Sequence, residues 1–320
     1  VAHLRGADRG QLMLVGALAL AVLFVSFAFL LNAAIYTETI ASRGTGVEAD
    51  TVVGYRNAAV DATGGTIDRL SAGENRSYDS LHGNLTTAVG DWDRGTARQY
   101  AIEGDAPSVE VVSVTNGTRV VQNGTRNFTD ADGAANWTLA EDVRTRNYTM
   151  TVEGNDLAQS SQSDVLNGNT DGAFNFTFEN ASGNYSIYVY ESGGEVELRA
   201  EDPDGNDVGS CTRSSGQVEV DFTAGTVDGA DCDALDFYRA LEGSYELRYA
   251  NADHVSGTYA TTVDAEHDEL VGGHYAAYGG DGPFRSTAIY AVDIEVVLRS
   301  ASVYYRNEGT VAPGAPKVRP

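Results

Sequence analysis

Residues 290–299, YAVDIEVVLR, carry the pattern that decides the fold. Tyr290, Val292, Ile294, Val296 and Leu298 are interleaved with Ala291, Asp293, Glu295 and Arg299. A period of two puts alternate side chains on opposite faces of a strand, one face dry and one wet, which is the habit of antiparallel sheets. The same alternation recurs around Tyr185, Ile187 and Val189, around Val196 and Leu198, in Val218, Val220 and Phe222, and in Tyr245, Leu247 and Tyr249. Turn-forming Gly, Asp and Asn separate these runs. Residues 105–310 are therefore expected to form an extracellular, antiparallel β-sandwich-like domain, either one sandwich with insertions or two small ones. Val109 and Val111 lead into Asn116-Gly117 with Val120 beyond, which predicts a hairpin turn at that dipeptide. The polar stretch 153–172, EGNDLAQSSQSDVLNGNTDG, reads as a mobile loop or as a boundary between two sheets. The tail, 311–320, reads as disordered.

Upstream the period changes. Tyr78, Leu81, Leu85, Ala88 and Trp92 follow one another at intervals of 3, 4, 3 and 4, an amphipathic helical stripe expected to pack on the domain that follows. Val53, Val60 and Ile67 recur every seven residues, with Gly64-Gly65 expected to break that helix. Residues 37–104 thus read as a helical segment. Before it, residues 11–36, QLMLVGALALAVLFVSFAFLLNAAIY, hold no charge. About 20 helical residues cross a bilayer core, so this stretch reads as a transmembrane helix behind a leader of residues 1–10. Arg5 and Arg9 precede it and Glu38 is the first charge after it, so the N-terminus is expected inside the cell and the C-terminal domain outside. The expected fold class is α+β: an N-terminal transmembrane helix and helical stalk followed by the antiparallel β-sandwich-like ectodomain.

The junction Arg9-Gly10-Gln11-Leu12 resembles the class III leader of archaeal type IV pilins. The resemblance implies a prepilin peptidase cut between Gly10 and Gln11 that leaves the apolar helix on the mature chain, with other pilin-like subunits as partners. The whole opening, DRGQLMLVGALALAVLFVSFAFLLNAAIYTE, is similar to a group of haloarchaeal membrane-anchored surface proteins over about the first 40 residues. Val15 stands at the fifth mature position, where many type IV pilins carry Glu, which points to a minor, pilin-like or plain anchored role rather than a major filament subunit. Ala17 and Ala21 form a small-xxx-small pair that would allow close helix approach.

The chain has 46 acidic and 21 basic residues, a net charge of −25, and Lys317 is its one lysine. Carboxylates spread along the chain with almost no lysine are the solvation pattern of halophilic proteins, in which salt screens the self-repulsion. Cation binding is the alternative reading of this acidity. No Lys/Arg stripe is present to neutralise phosphates, so nucleic acid is excluded as a partner. Ten Asn-X-Ser/Thr sequons mark candidate glycosylation sites at Asn75, Asn84, Asn116, Asn123, Asn127, Asn136, Asn147, Asn175, Asn180 and Asn184. Two of them, Asn116-Gly117 and Asn123-Gly124, are also turn dipeptides. Cys211 and Cys232 are the two cysteines, and an oxidising exterior favours a disulfide between them over a metal site, for which no further ligands flank them.

Motifs for catalysis are missing. The chain holds no G-x-S-x-G, no Walker A and no H-E-x-x-H pattern. His267 and His274, seven apart, lack a third ligand for a metal. Asp202-Pro203-Asp204-Gly205-Asn206-Asp207 fails the calcium-loop test, because the positions that need Gly and Glu hold Asp207 and Arg213, and it reads as a turn, as does Asp130 to Gly133. Neither a cofactor nor a metal is expected. The function expected is a non-catalytic, pilin-like glycosylated cell-surface protein for assembly or adhesion. A signal-anchored extracellular module that binds polysaccharide, ions or envelope proteins is the alternative, and a surface hydrolase with a dispersed Asp/Glu pair is third.

Overall fold

The computed structural model describes residues 49–73, 76–166, 168–170, 172–214, 216–270 and 272–315. The chain divides into two compact units, 1–58 and 59–320. In the first, the described residues 49–58 are helical. Every contact below lies within the second.

Helix α1 (49–71) runs without interruption through Gly64 and Gly65. The expected break is absent: a Cβ at Gly65 would meet nothing, and one at Gly64 would meet Val311 and Pro313 side chains at 3.8 Å. Helix α2 (Tyr78–Tyr100) is capped by Ser77, whose hydroxyl accepts the Ser80 N–H. It buries Leu81 and Leu85 of the expected stripe together with Val89, while Tyr78, Ala88 and Trp92 are half-buried. Among the described residues fourteen strands follow: β1 (Ala106–Asn127), β2 (Trp137–Val143), β3 (Thr145–Glu153), β4 (Phe174–Asn180), β5 (Gly183–Ser192), β6 (Glu195–Glu201), β7 (Asp207–Ser214), β8 (Gln217–Asp221), β9 (Thr226–Val227), β10 (Ala230–Asp231), β11 (Tyr245–Ala250), β12 (Ser256–Val263), β13 (Phe284–Arg299) and β14 (Tyr304–Val311). They form an eight-stranded sheet, β10-β9-β8-β3-β12-β1-β13-β14, and a six-stranded sheet, β2-β11-β4-β5-β6-β7.

The expected α+β fold with a transmembrane helix and a stalk is corrected on these grounds. Among the described residues no helix is long and apolar enough to cross a membrane. The stretch 11–36 and the leader with Gly10 and Gln11 lie outside the described residues. Helix α2 is no stalk either, because it packs on β1 and β13. The Asp93 carboxylate accepts the Val109 N–H at 2.9 Å, and the Tyr78 hydroxyl donates to Gly117 O at 3.1 Å. The described fold is mostly antiparallel β, two sheets with helices laid on the larger one.

One core lies between the sheets. The large sheet contributes Val120, Tyr148, Met150, Val152, Val218, Val220 and Tyr259; the small one contributes Phe174, Phe176, Phe178, Ile187, Leu198, Leu247 and Tyr249. Aromatic rings dominate it in edge-to-face and stacked pairs, such as Phe176–Phe222 at 5.1 Å and Tyr148–Phe222 at 4.5 Å.

Three local expectations change. Asn116-Gly117 is no hairpin: β1 runs straight through it for 22 residues, with register shifts against β13 at Val111/Ser113 and Thr115/Asn116. Glycine is required there because a Cβ at Gly117 would sit 2.6 Å from Val263 O and 2.9 Å from Tyr290 Cβ, so a close approach and a bulge took the place of a turn. The stretch 153–172 does join the two sheets, but it is tied down. Gly154 N–H donates to Gly216 O, Ala158 N–H to His254 O and Ser160 N–H to Glu191 O, and a short helix, α3 (Gln162–Leu166), lies within it. Val165 and Ala173 pack on Tyr188 and Tyr190, which buries the outer face of β5 that alternation assigned to water. Glu197 and Arg199 of β6 are buried too, with Arg199 paired to Asp207 at 2.8 Å. Finally, of the tail, Val311 ends β14 and residues 312–315 follow it, while 316–320 lie outside the described residues.

Candidate functional site

The sequence-predicted sites scatter over the fold instead of converging. Asn75 lies outside the described residues. Among the nine described sequons, Asn84, Asn123, Asn127, Asn136, Asn147 and Asn184 are exposed, Asn116, Asn175 and Asn180 are half-buried, and none is buried. Their amides differ in freedom. His82 Nε2 lies 2.7 Å from Asn116 Oδ1 while Asn116 Nδ2 donates to Glu266, so both ends of that amide are engaged. Asn127 Nδ2 donates to Asp253 O, and Asn180 Nδ2 to Glu242 O. Asn175 holds a buried Oδ1 without a partner.

Cys211 and Cys232 are joined, with Cα atoms 5.6 Å apart. Cys211 lies on β7, the edge of the small sheet, and Cys232 follows β10, the edge of the large one. The bridge closes one side of the two-layer body.

His267 and His274 do not share a partner. His267 faces Asp268, whereas His274 Nδ1 is 2.8 Å from Asp130. Asp130 also accepts the N–H groups of Asp132 at 3.0 Å and Ala134 at 2.8 Å. Burial pushes the Asp130 carboxyl up, but His274 and these two amides outweigh it and hold it below the usual carboxylate range. Asp202 likewise accepts the N–H groups of Asp204 and Asn206, and the Asn206 side chain lowers its pKa most. Both acidic stretches are turns organised by their leading aspartate. Asp293 is lowered by the hydroxyls of Ser113 and Thr310. These three carboxyls move down, away from the raised value a general acid needs. Among the described residues no three His, Cys, Asp or Glu side chains lie together so as to hold a metal ion.

One large concavity was not legible in the sequence. A groove of about 1180 Å³ runs between α1, β3, the end of β8 and the C-terminal segment, lined by Asp61, Asp68, Asn147, Asp221, Arg239 and Pro313 among others. A hollow of about 300 Å³ shares Asp68, Asn147 and Thr149 with it and adds Arg119 and Arg146. Arg146 builds this corner. Fully buried, it donates to Pro313 O at 2.8 Å and Ile289 O at 2.6 Å and pairs with Asp68 at 3.3 Å. Burial lowers its pKa, and Asp68 opposes the shift. Arg119 is also lowered by burial. The lining offers aspartates, guanidinium groups and threonine hydroxyls, which suit a hydroxylated or charged ligand.

A profile described as a family of unknown function, DUF7261, matches residues 6–130, less than half of the chain. That match ends just past β1, so the remaining strands fall outside it. No curated protein and no solved structure matches the chain.

Proposed function

We propose that this chain is a non-catalytic, pilin-like glycosylated protein of the cell surface, acting in surface assembly or adhesion with its β domain outside the cell. The observation that carries the reading is the pairing of a closed disulfide with nine described sequons, none buried. Disulfides persist in oxidising compartments, and sequon-rich surfaces belong to exported chains. The acid-rich, lysine-poor composition supports a saline exterior. The pilin-like part rests on Arg9-Gly10-Gln11-Leu12 alone.

A second reading, an extracellular binding module without filament assembly, is favoured by the groove between α1 and the C-terminal segment. Intact mass and peptide mapping of the protein from its native membranes separate the two. A mature start at Gln11 with glycans on exposed sequons such as Asn84, Asn123 and Asn184 supports the first. A start ahead of Gly10 with glycans present leaves the binding module. Ten unmodified sequons together with reduced cysteines would remove both.

A further inference from the structure

The large sheet ends on β14, whose one strand neighbour among the described residues is β13. An open edge invites pairing, and proteins commonly blunt it with charge. In a chain with 46 acidic and 21 basic residues a blunted edge would carry acids throughout. β14, YYRNEGTV, instead carries Arg306 and Glu308 on one face, two residues apart. Glu308 stands directly across from Glu295 of β13, a like-charge pair. Arg306 holds Glu295 through Nε, 2.8 Å from its carboxylate, and Nη2, which leaves Nη1 open, and among the described residues Glu308 makes no ion pair or side-chain hydrogen bond. Tyr304 is 61% exposed, a large ring left in solvent on the same strand.

We propose that β14 pairs antiparallel with β14 of a second copy of this chain, about a two-fold axis through Asn307. Charge selects that register. A two-fold axis that keeps each sheet face continuous must pass through a residue, so the choices near the strand centre are Arg306, Asn307 and Glu308. Centring on Arg306 sets two arginines opposite each other, and centring on Glu308 sets two glutamates. Centring on Asn307 puts Arg306 opposite the partner's Glu308, twice over. The same register lays Tyr305 over the partner's Gly309 and Tyr304 beside the partner's Thr310, aromatic–glycine and aromatic–β-branched pairs that stabilise cross-strand contacts. Each unpaired Glu308 thereby gains a guanidinium, and the repulsion between Glu295 and Glu308 is offset. The sixteen strands of two large sheets become one continuous sheet with an isologous interface. This inference stands on the edge itself and does not require the surface-protein reading.

Sedimentation of the full chain over a concentration range, roughly 1 to 300 µM, is the test. The wild type is expected to pass from monomer to dimer. Glu308→Arg sets arginines opposite each other across the two-fold axis, yet it places Arg directly across from Glu295 within the monomer, so the fold is kept. It is expected to raise the dimer dissociation constant about tenfold or more. The double exchange Arg306→Glu with Glu308→Arg restores opposite charges in the same register and is expected to restore dimerisation. Thermal unfolding of each variant guards against loss of fold. A wild type that stays monomeric throughout, or a dimer that Glu308→Arg leaves unchanged, overturns the proposal. So does hydrogen exchange in which β14 amides are equally protected at every concentration, since that means the chain's own residues cover the edge.

Discussion

At the scale of single residues the structure depends most on side chains whose partners are remote in sequence. Arg146 is the clearest case. Its guanidinium serves Asp68 on α1, Ile289 O on β13 and Pro313 O beyond β14, so one planar fork ties three segments to β3. Replacing it by Met leaves two carbonyls without their donor and is expected to cost about 2–4 kcal/mol in urea unfolding. Arg146→Lys should recover part of this, since an ammonium cannot reach divergent acceptors as a fork does. Asp68→Asn should cost under about 1 kcal/mol, because the Asp68 side chain is half exposed. If Asp68→Asn were as costly as Arg146→Met, the ion pair rather than the carbonyl contacts would hold the corner. None of this was legible: Arg146 sits among Arg144, Thr145 and Asn147 in a stretch that reads as solvent-facing, and spacing along the chain gives no hint of residues 68, 289 and 313. Gly117 misled in the opposite sense. Asn-Gly is a strong local turn signal, but the glycine answers a tertiary demand, the close passage of Val263 O.

Whole elements were more legible, to the extent that each obeys one periodicity. The stripe at intervals of three and four marked α2, and the period-two runs marked β8 and β11, which keep one face toward the shared core, and β13, whose buried Val292, Ile294, Val296 and Leu298 lie outside that core. β5 broke the rule because Val165 and Ala173 pack on its outer face, a contact that hydropathy along the strand cannot encode. The cysteine pair was legible from the count alone, and its consequence belongs at this scale. It fastens β7, an edge strand with five of its eight residues exposed, to the chain leaving β10. Closing a loop of 21 residues is worth about 3 kcal/mol. The double variant Cys211→Ser with Cys232→Ser is expected to lose about that much in denaturant unfolding, with amide exchange rising first along β7. Uniform loss of protection across both sheets, with β7 no faster than β4, would show that the bridge stabilises the body as a whole and not this edge.

At the scale of the molecule, the two sheets are held by a core unusually rich in tyrosine, and that richness gives the fold a defined alkaline limit. Tyr148 and Tyr249 share a hydroxyl contact of 2.7 Å, and Tyr238 and Tyr245 converge on Thr145. Burial raises the pKa of Tyr148, Tyr238, Tyr249, Tyr259 and Tyr275, in every case as the largest cause. The sign follows from linkage. In the unfolded chain these hydroxyls ionise near 10, whereas the folded state keeps their protons to higher pH. Their contribution is therefore intact below about pH 10 and falls as pH rises beyond it, by about 1.4 kcal/mol per pH unit for each such tyrosine. Several such tyrosines act in the same direction, so the loss steepens with pH. Following tyrosinate absorbance and circular dichroism from neutral to strongly alkaline pH should thus show a late, steep rise in ionisation coincident with loss of the sheets. A smooth ionisation of every tyrosine while the β signal persists would mean that water reaches these hydroxyls in the native state, and that the two sheets do not seal a common core.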